Sequence, residues 1–238
     1  MSDSAIILAG GFGTRLHSVV SDLPKPMADI SGKPFLHYLL LYLKHFGVKN
    51  AILATGYLHE KIESYFGYNY EGINIQYSVE TYPLGTGGAI KKALELVKGN
   101  CFILNGDSFI AADLNQLAKF HSSKKADFSI GLKAMQHFDR YGTVVLDKNR
   151  ITAFKEKEYT ESGLINTGIY ITSHQIFDGL DLPENFSIEK DFLEKNLERL
   201  NIAGMPVDGY FIDIGIPEDY HRASAELPAM LKNFQLEN

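Results

Sequence analysis

Cysteine is almost absent from this chain: Cys101 stands alone among 238 residues. One thiol cannot form an intramolecular disulfide, and a cysteine-ligated zinc cluster is not expected. His17, His37, His45 and His59 are scattered without H-x-E or H-x-x-x-H spacing, which argues against a histidine zinc site as well. A basic block is also missing. Lysine and arginine number 23 against 29 aspartates and glutamates, a net charge of −6. No nucleic-acid partner is expected, and a polyanionic substrate would have to be met by a few local cations. The start, Ser2-Asp3-Ser4, carries no positive charge and leads straight into a short apolar segment, and no long apolar run follows. Neither a signal peptide nor a membrane span is expected, which fits a reducing cytoplasm. No linker, repeat or low-complexity run interrupts the chain, so residues 1–238 read as one domain.

What is present is alternation. Ala5 to Ala9 is an apolar run ending at glycines and reads as a buried strand. From Phe35 to Phe46 apolar residues recur at helical spacing, with Pro34 suited to the first turn and Gly47 to the end. Strand patterns follow at Ala51 to Ala54, Ile73 to Val79 and Cys101 to Leu104, with helix patterns at Leu58 to Phe66 and Thr86 to Val97. This order predicts an α/β fold, Rossmann-like and three-layered, with a mostly parallel mixed central sheet and helices on both faces. After residue 125 strands crowd together at Phe128 to Lys133, Thr143 to Leu146, Ile151 to Phe154 and Leu164 to Ile171. Asp147-Lys148-Asn149-Arg150 reads as a hairpin turn, and helices are expected at Ile188 to Leu197 and Pro217 to Leu227.

The sharpest local feature is Leu8-Ala9-Gly10-Gly11-Phe12-Gly13-Thr14-Arg15-Leu16. Glycines directly after a strand let the backbone approach a ligand and present N–H groups to phosphate, and Arg15 adds a cation that can grip phosphate bidentately. The P-loop pattern is missing, and leucine occupies the third glycine position of the dinucleotide fingerprint. Ten residues on, Lys25 lies between Pro24 and Pro26. Two prolines stiffen the mount of this lysine and reduce the entropy it loses on engaging phosphate.

Together these segments resemble the signature of the sugar-1-phosphate nucleotidyltransferases. The similarity continues through Glu80 with Leu84-Gly85-Thr86-Gly87-Gly88, Asn105-Gly106-Asp107, Phe154-Lys155-Glu156-Lys157, Asn166-Thr167-Gly168-Ile169-Tyr170 and Ile212-Asp213-Ile214-Gly215-Ile216-Pro217. Within the family the likeness is greatest to members that join GTP to a heptose 1-phosphate. It is carried by residues 18–26, Pro83 to Ile90 and Phe211 to Tyr220. The resemblance implies a nucleoside triphosphate and a sugar 1-phosphate as substrates, with an NDP-sugar and pyrophosphate as products. Residues 5–125 would serve the nucleotide and 126–227 the sugar phosphate. Another base or sugar, such as mannose 1-phosphate with GTP or a UTP-dependent pair, is an alternative. So is a regulatory subunit that only binds nucleotide-sugars. A homo-oligomer is compatible with the sequence.

Attack by an already charged phosphate oxygen needs no strong base; it needs alignment and charge neutralisation. Arg15 and Lys25 would do this for the triphosphate. Leu8, Ala9, Gly10, Gly11, Gly13 and Thr14 would surround the nucleotide, with Gly85 and Thr86 beside the base. Asp107 and Asp213 each follow an apolar strand pattern next to glycine, and they are the expected ligands of one Mg²⁺. Glu80 offers two acceptors to the adjacent N–H donors of guanine, a pair that uracil and cytosine lack. The resemblance assigns Lys157 to the sugar's phosphate, Glu156 and Asn166 to its hydroxyls, and Gly142 to close backbone approach.

Overall fold

The computed structural model describes residues 2–11 and 23–235, with side chains to 232. Gly13, Thr14 and Arg15 lie outside the described residues. The first half runs β1 (Ser4–Leu8), β2 (Asp29–Ile30), β3 (Lys33–Pro34), α1 (Phe35–His45), β4 (Asn50–Thr55), α2 (His59–Phe66), β5 (Asn69–Tyr70), β6 (Ile73–Val79), α3 (Gly85–Leu94), β7 (Asn100–Asn105), β8 (Ser108–Ile110) and α4 (Leu114–Lys124). The second half adds β9 (Phe128–Phe138), β10 (Thr143–Asp147), β11 (Arg150–Lys155), β12 (Thr160–Ser173), β13 (Ile202–Pro206), β14 (Phe211–Asp213) and α5 (Pro217–Gln235).

Ten strands form one mixed sheet in the order β10-β11-β13-β9-β12-β7-β1-β4-β6-β5. The strands β7, β1, β4 and β6 pair in parallel, as the βα alternation requires. The second half joins through β12, which runs antiparallel to both β7 and β9. The parallel character thus belongs to the first half, and the later strands make the sheet mixed.

Both faces are covered. Ala5 and Ile7 of β1 pack into a core with residues of α1, α2, α4 and α5. Ile6 points to the opposite core, with Ala89, Ile90 and Ala93 of α3. A strand buried on both sides has to be apolar at every position, which is why β1 and β7 read as continuous runs.

The helix expected over Ile188 to Leu197 is a correction. Ile188–Leu193 winds as a π-helix and Glu194–Asn196 as a 3-10 turn. The widened turn still buries Ile188, Phe192 and Leu193, so the apolar pattern does not distinguish it from an α-helix. The hairpin at 147–150 joins β10 to β11, with Lys148 at φ 56°. No helix among the described residues is long and apolar enough to cross a membrane.

Candidate active site

Two cavities open along the carboxyl ends of the parallel strands, where α/β sheets bind ligands. The first has a volume of about 510 Å³ and the second about 280 Å³. They adjoin: Asn105 and Asp107 line both.

The first cavity is walled by the ends of β1, β4, β6 and β7 and by the start of α3. Leu8, Gly10, Gly11, Glu80, Gly85 and Thr86, all expected around a nucleotide, line it. Ala9 does not. Its side chain is fully buried in the core and its N–H donates to the Ala54 carbonyl at 2.7 Å. A Cβ on Gly10 would lie 2.8 Å from Glu80 Oε1, so a side chain there would displace the Glu80 carboxylate. Glu80 is half-buried just past β6, and its Oε2 accepts from the Leu84 N–H at 2.9 Å. Burial pushes its carboxyl above the usual glutamate range, while the Leu84 N–H and the Lys92 charge pull it back.

Thr86 sits at the cavity wall, yet its hydroxyl faces the 187–189 segment. It accepts from the Ile188 N–H at 2.9 Å and donates to Glu189 at 3.4 Å. Gly85, at φ 69°, could not carry a Cβ, which would fall 2.5 Å from the Phe186 carbonyl. Two exposed tyrosines, Tyr57 and Tyr82, border this cavity. Tyr70 and Tyr77, between them in sequence, are tied into the protein by hydrogen bonds to His37 and to the Gly67 carbonyl.

The junction of the cavities holds the charged centre. Asp107 lies in the turn between β7 and β8, and Asp213 ends β14. These aspartates are 106 positions apart in sequence, and a small two-stranded sheet brings them together: β14 pairs antiparallel with β8, setting Asp213 against Ser108. The Ile214 N–H donates to the Asp107 carbonyl at 3.0 Å and fixes the register. Gly106 makes the turn possible, since a Cβ would come within 2.4 Å of the Leu8 carbonyl.

Lys25 stands between the carboxylates, its Nζ 2.6 Å from Asp107 Oδ2 and 3.7 Å from Asp213 Oδ1. It begins a 3-10 turn, Lys25–Met27, whose two following residues are buried. The prolines therefore anchor the lysine by packing as well as by restricting backbone angles. Burial first, and the Asp107 charge second, raise the Asp213 carboxyl above the usual aspartate range against the opposing pull of Lys25. Two carboxylates with one ammonium between them remain short of positive charge, and the oxygen donor set suits a hard divalent cation. Among the described residues no cluster of three or more His, Cys, Asp or Glu side chains forms a metal cage. Such an ion would draw its remaining ligands from water and substrate.

The second cavity is bounded by β10, β11 and β12. Gly142, Glu156, Lys157 and Asn166, all assigned to the sugar phosphate, line it. A Cβ on Gly142 would lie 2.5 Å from the Lys155 carbonyl, so the close backbone approach that needs glycine is made within the protein. Glu156 is paired with Lys190 at 2.6 Å in solvent, and that cation lowers its carboxyl below the usual range. Asn166 and Gly168 sit where the β12–β9 register shifts, and Gly168 adopts φ 77°. A bulge thus turns Asn166 toward the cavity. Tyr141, Glu189 and Lys190 also line it and were not singled out in the sequence. Glu189 and Lys190 reach the cavity through contacts distant in sequence, which no local spacing announces.

The nucleotidyl transferase family profile matches residues 4–229. The chain is 54% identical over 224 residues to a D-glycero-alpha-D-manno-heptose 1-phosphate guanylyltransferase of Aneurinibacillus thermoaerophilus, covering 94% of this chain and 97% of that one. It is 49% identical to the protein of that name from Campylobacter jejuni subsp. jejuni serotype O:2, covering 91% and 96%. Among solved structures it resembles HddC from Yersinia pseudotuberculosis complexed with GMP-PN, with TM-score 0.81, 38% identity and coverage of 94% and 98%.

Proposed function

This chain belongs to the nucleotidyl transferase family, and from that premise we propose that it transfers the guanylyl group of GTP to D-glycero-α-D-manno-heptose 1-phosphate. The products are GDP-heptose and pyrophosphate. The observation that carries this reading is the pair of adjoining cavities with Lys25, Asp107 and Asp213 at their junction. One cavity is bordered by the glycine turn and Glu80, and the other by Lys157 and Asn166.

GTP occupies the first cavity with its guanine edge toward Glu80. The sugar phosphate occupies the second, with Lys157 on its phosphate, Glu156 and Asn166 on its hydroxyls, and the Gly142 backbone beside the sugar. A phosphate oxygen of the sugar substrate attacks the α-phosphorus of GTP. A new O–P bond forms and the bond to the β-phosphate oxygen breaks in line, releasing pyrophosphate. The nucleophile is charged at neutral pH, so no side chain has to remove a proton. Lys25 neutralises charge where the two anions meet, and Arg15 serves the triphosphate with Gly13 and Thr14. Asp107 and Asp213 would hold Mg²⁺, which when bound supplies charge neutralisation to the phosphate oxygens.

In this reading residues 1–238 are a single domain. The stretch 5–125 serves mainly the nucleotide and 126–227 mainly the sugar phosphate, with Asn105 and Asp107 common to both. A cytoplasmic location is part of this reading, in keeping with a single cysteine, Cys101, that is free and buried. The test is pyrophosphate release from GTP, UTP, CTP and ATP, each offered with heptose 1-phosphate and mannose 1-phosphate in the presence of Mg²⁺. Turnover greatest with GTP and the heptose is the expected result. Preference for another base or sugar would overturn the assignment, and inactivity with every pair would overturn the enzyme reading.

A further inference from the structure

Between the two cavities runs a chain of hydrogen bonds centred on Glu189. Its Oε1 accepts from the Tyr170 hydroxyl at 3.0 Å. Its Oε2 accepts from Ser187 Oγ at 3.1 Å and from Thr86 Oγ1 at 3.4 Å. Both oxygens of this carboxylate are therefore engaged within the protein, although Glu189 lies at the wall of the second cavity. Tyr170 is fully buried, so its hydroxyl has no water to turn to. Having donated its proton to Glu189, it accepts from Asn166 Nδ2 at 2.9 Å. Asn166 Oδ1 accepts in turn from the Gly168 N–H at 2.9 Å.

The bonding capacity of Asn166 gives this chain a purpose. An amide has two N–H donors and one oxygen with two lone pairs. Tyr170 takes one donor and Gly168 takes one acceptor site. The other donor and the other lone pair remain, on a side chain that lines the sugar cavity. Reversing the amide would set its NH₂ against the Gly168 N–H and its oxygen against a hydroxyl whose proton is committed to Glu189. The position of Glu189 adds an independent indication. It stands in the first turn of the π-helix Ile188–Leu193, a rare conformation found often at functional sites.

We propose that Glu189 is a positioning residue for the sugar phosphate: through Tyr170 it fixes the plane and polarity of the Asn166 amide that faces the sugar hydroxyls. This inference rests on the assignment of the second cavity to the sugar phosphate. Glu189 does not touch the reacting atoms, and its role is to keep one donor and one acceptor aimed before substrate arrives.

Steady-state pyrophosphate release with GTP and heptose 1-phosphate tests it, using Asn166→Ala, Tyr170→Phe, Glu189→Ala and Glu189→Gln. The first three raise the KM for the sugar phosphate about tenfold, the equivalent of one lost hydrogen bond, and leave the GTP KM within about twofold. Glu189→Gln keeps the parent sugar-phosphate KM, because its amide oxygen can still accept from Tyr170. Combining Glu189→Ala with Asn166→Ala adds nothing to Asn166→Ala alone. Tyr170→Phe preserves the buried ring and keeps the test valid should Glu189→Ala unfold. If Asn166→Ala raises the KM while Tyr170→Phe and Glu189→Ala do not, the positioning role is overturned and the cavity assignment stands. If Asn166→Ala has no effect, both are overturned. An equal rise in both KM values would reduce Glu189 to a general structural role and overturn the proposal.

Discussion

Glu80→Gln tests base selection with the smallest available change. The carboxylate is half-buried, and Oε2 already accepts from the Leu84 N–H at 2.9 Å. A glutamine here must keep its oxygen on Leu84, since the opposite orientation would set two N–H donors against each other. Its NH₂ group then faces the cavity, where guanine also presents donors. One charge-assisted hydrogen bond is lost and a donor–donor contact replaces it, a cost of about 1.5–3 kcal/mol, or about 10- to 150-fold in kcat/KM for GTP. ITP, which lacks the exocyclic amine, suffers less, so the preference for GTP over ITP collapses toward unity. The assay is pyrophosphate release with both nucleotides well below KM. Acid offers a check within the parent protein. Burial raises the Glu80 carboxyl, so it gains a proton at a higher pH than an ordinary glutamate, and protonation turns an acceptor into a donor. The GTP/ITP ratio of the parent therefore falls as pH drops toward that raised value, while the ratio for Glu80→Gln stays flat. A glutamine variant with the parent's ratio at neutral pH would refute the placement of guanine against Glu80.

Asp213→Asn should abolish most turnover and yet stabilise the protein when divalent cations are absent. The raised pKa of Asp213 means that the folded protein holds this proton more tightly than the unfolded chain, so the associated stability is present at low pH and lost as pH rises through the folded value. Asparagine removes that loss: the variant melts higher than the parent at pH 7, and the gain vanishes below the ordinary aspartate value of 3.8; equal melting temperatures at every pH would count against the argument. Lys25→Ala, which removes the cation between Asp107 and Asp213, should lower kcat by about 10²- to 10³-fold in steady-state assays, and a change confined to KM would contradict its role at the reacting phosphate. Gly85→Ala meets both a φ of 69° and a contact of 2.5 Å with the Phe186 carbonyl. It should cost at least about 2 kcal/mol, seen as a melting temperature about 4–8 °C lower, and an unchanged transition would show that α3 can shift away from Phe186.

The parallel strands β1, β4, β6 and β7 and the helices α1 to α3 were readable because each carries its own signal. The strand β1 ends at glycines, α1 shows apolar spacing with Gly47 beyond its end, and β6 alternates. The strand β13 was missed: Ile202–Pro206 contains Gly204 and ends in proline, and its partner β9 lies about seventy positions upstream. Gly204 is there for packing, since a Cβ would meet the Leu132 side chain at 2.6 Å. The strands β8 and β14 have three residues each, too few for any period, although they decide where Asp107 and Asp213 meet. The helix α4 was also passed over, despite Asp113 capping it through the N–H groups of Asn115 and Gln116. Its polar residues dilute the apolar stripe. Of the residues that line the two cavities, Glu80, Asp107 and Asn166 lie inside dense motifs and stand out in the sequence. Glu189 does not, because its hydrogen-bond partners Tyr170 and Thr86 lie about 20 and 100 positions away.

The strand β7 carries a parallel neighbour, β1, on one side and an antiparallel neighbour, β12, on the other. That asymmetry makes the molecule unequally editable. Parallel neighbours such as β1 and β4 or β4 and β6 have to be joined by a crossover that reaches back to the same end of the sheet, so an insertion there disturbs a whole layer. On the antiparallel side β10 and β11 are joined directly by the turn at Lys148-Asn149, which is tied to β13 where the Asn149 carbonyl accepts from the Gly204 N–H at 2.8 Å. The turn lies at the opposite end of the β10–β11 pair from Thr143, Lys155 and Lys157, which line the second cavity, so a change of length there spares the cavity wall. An insertion into a crossover of the parallel strands has no such remove, because those connections leave from the strand ends that wall the first cavity.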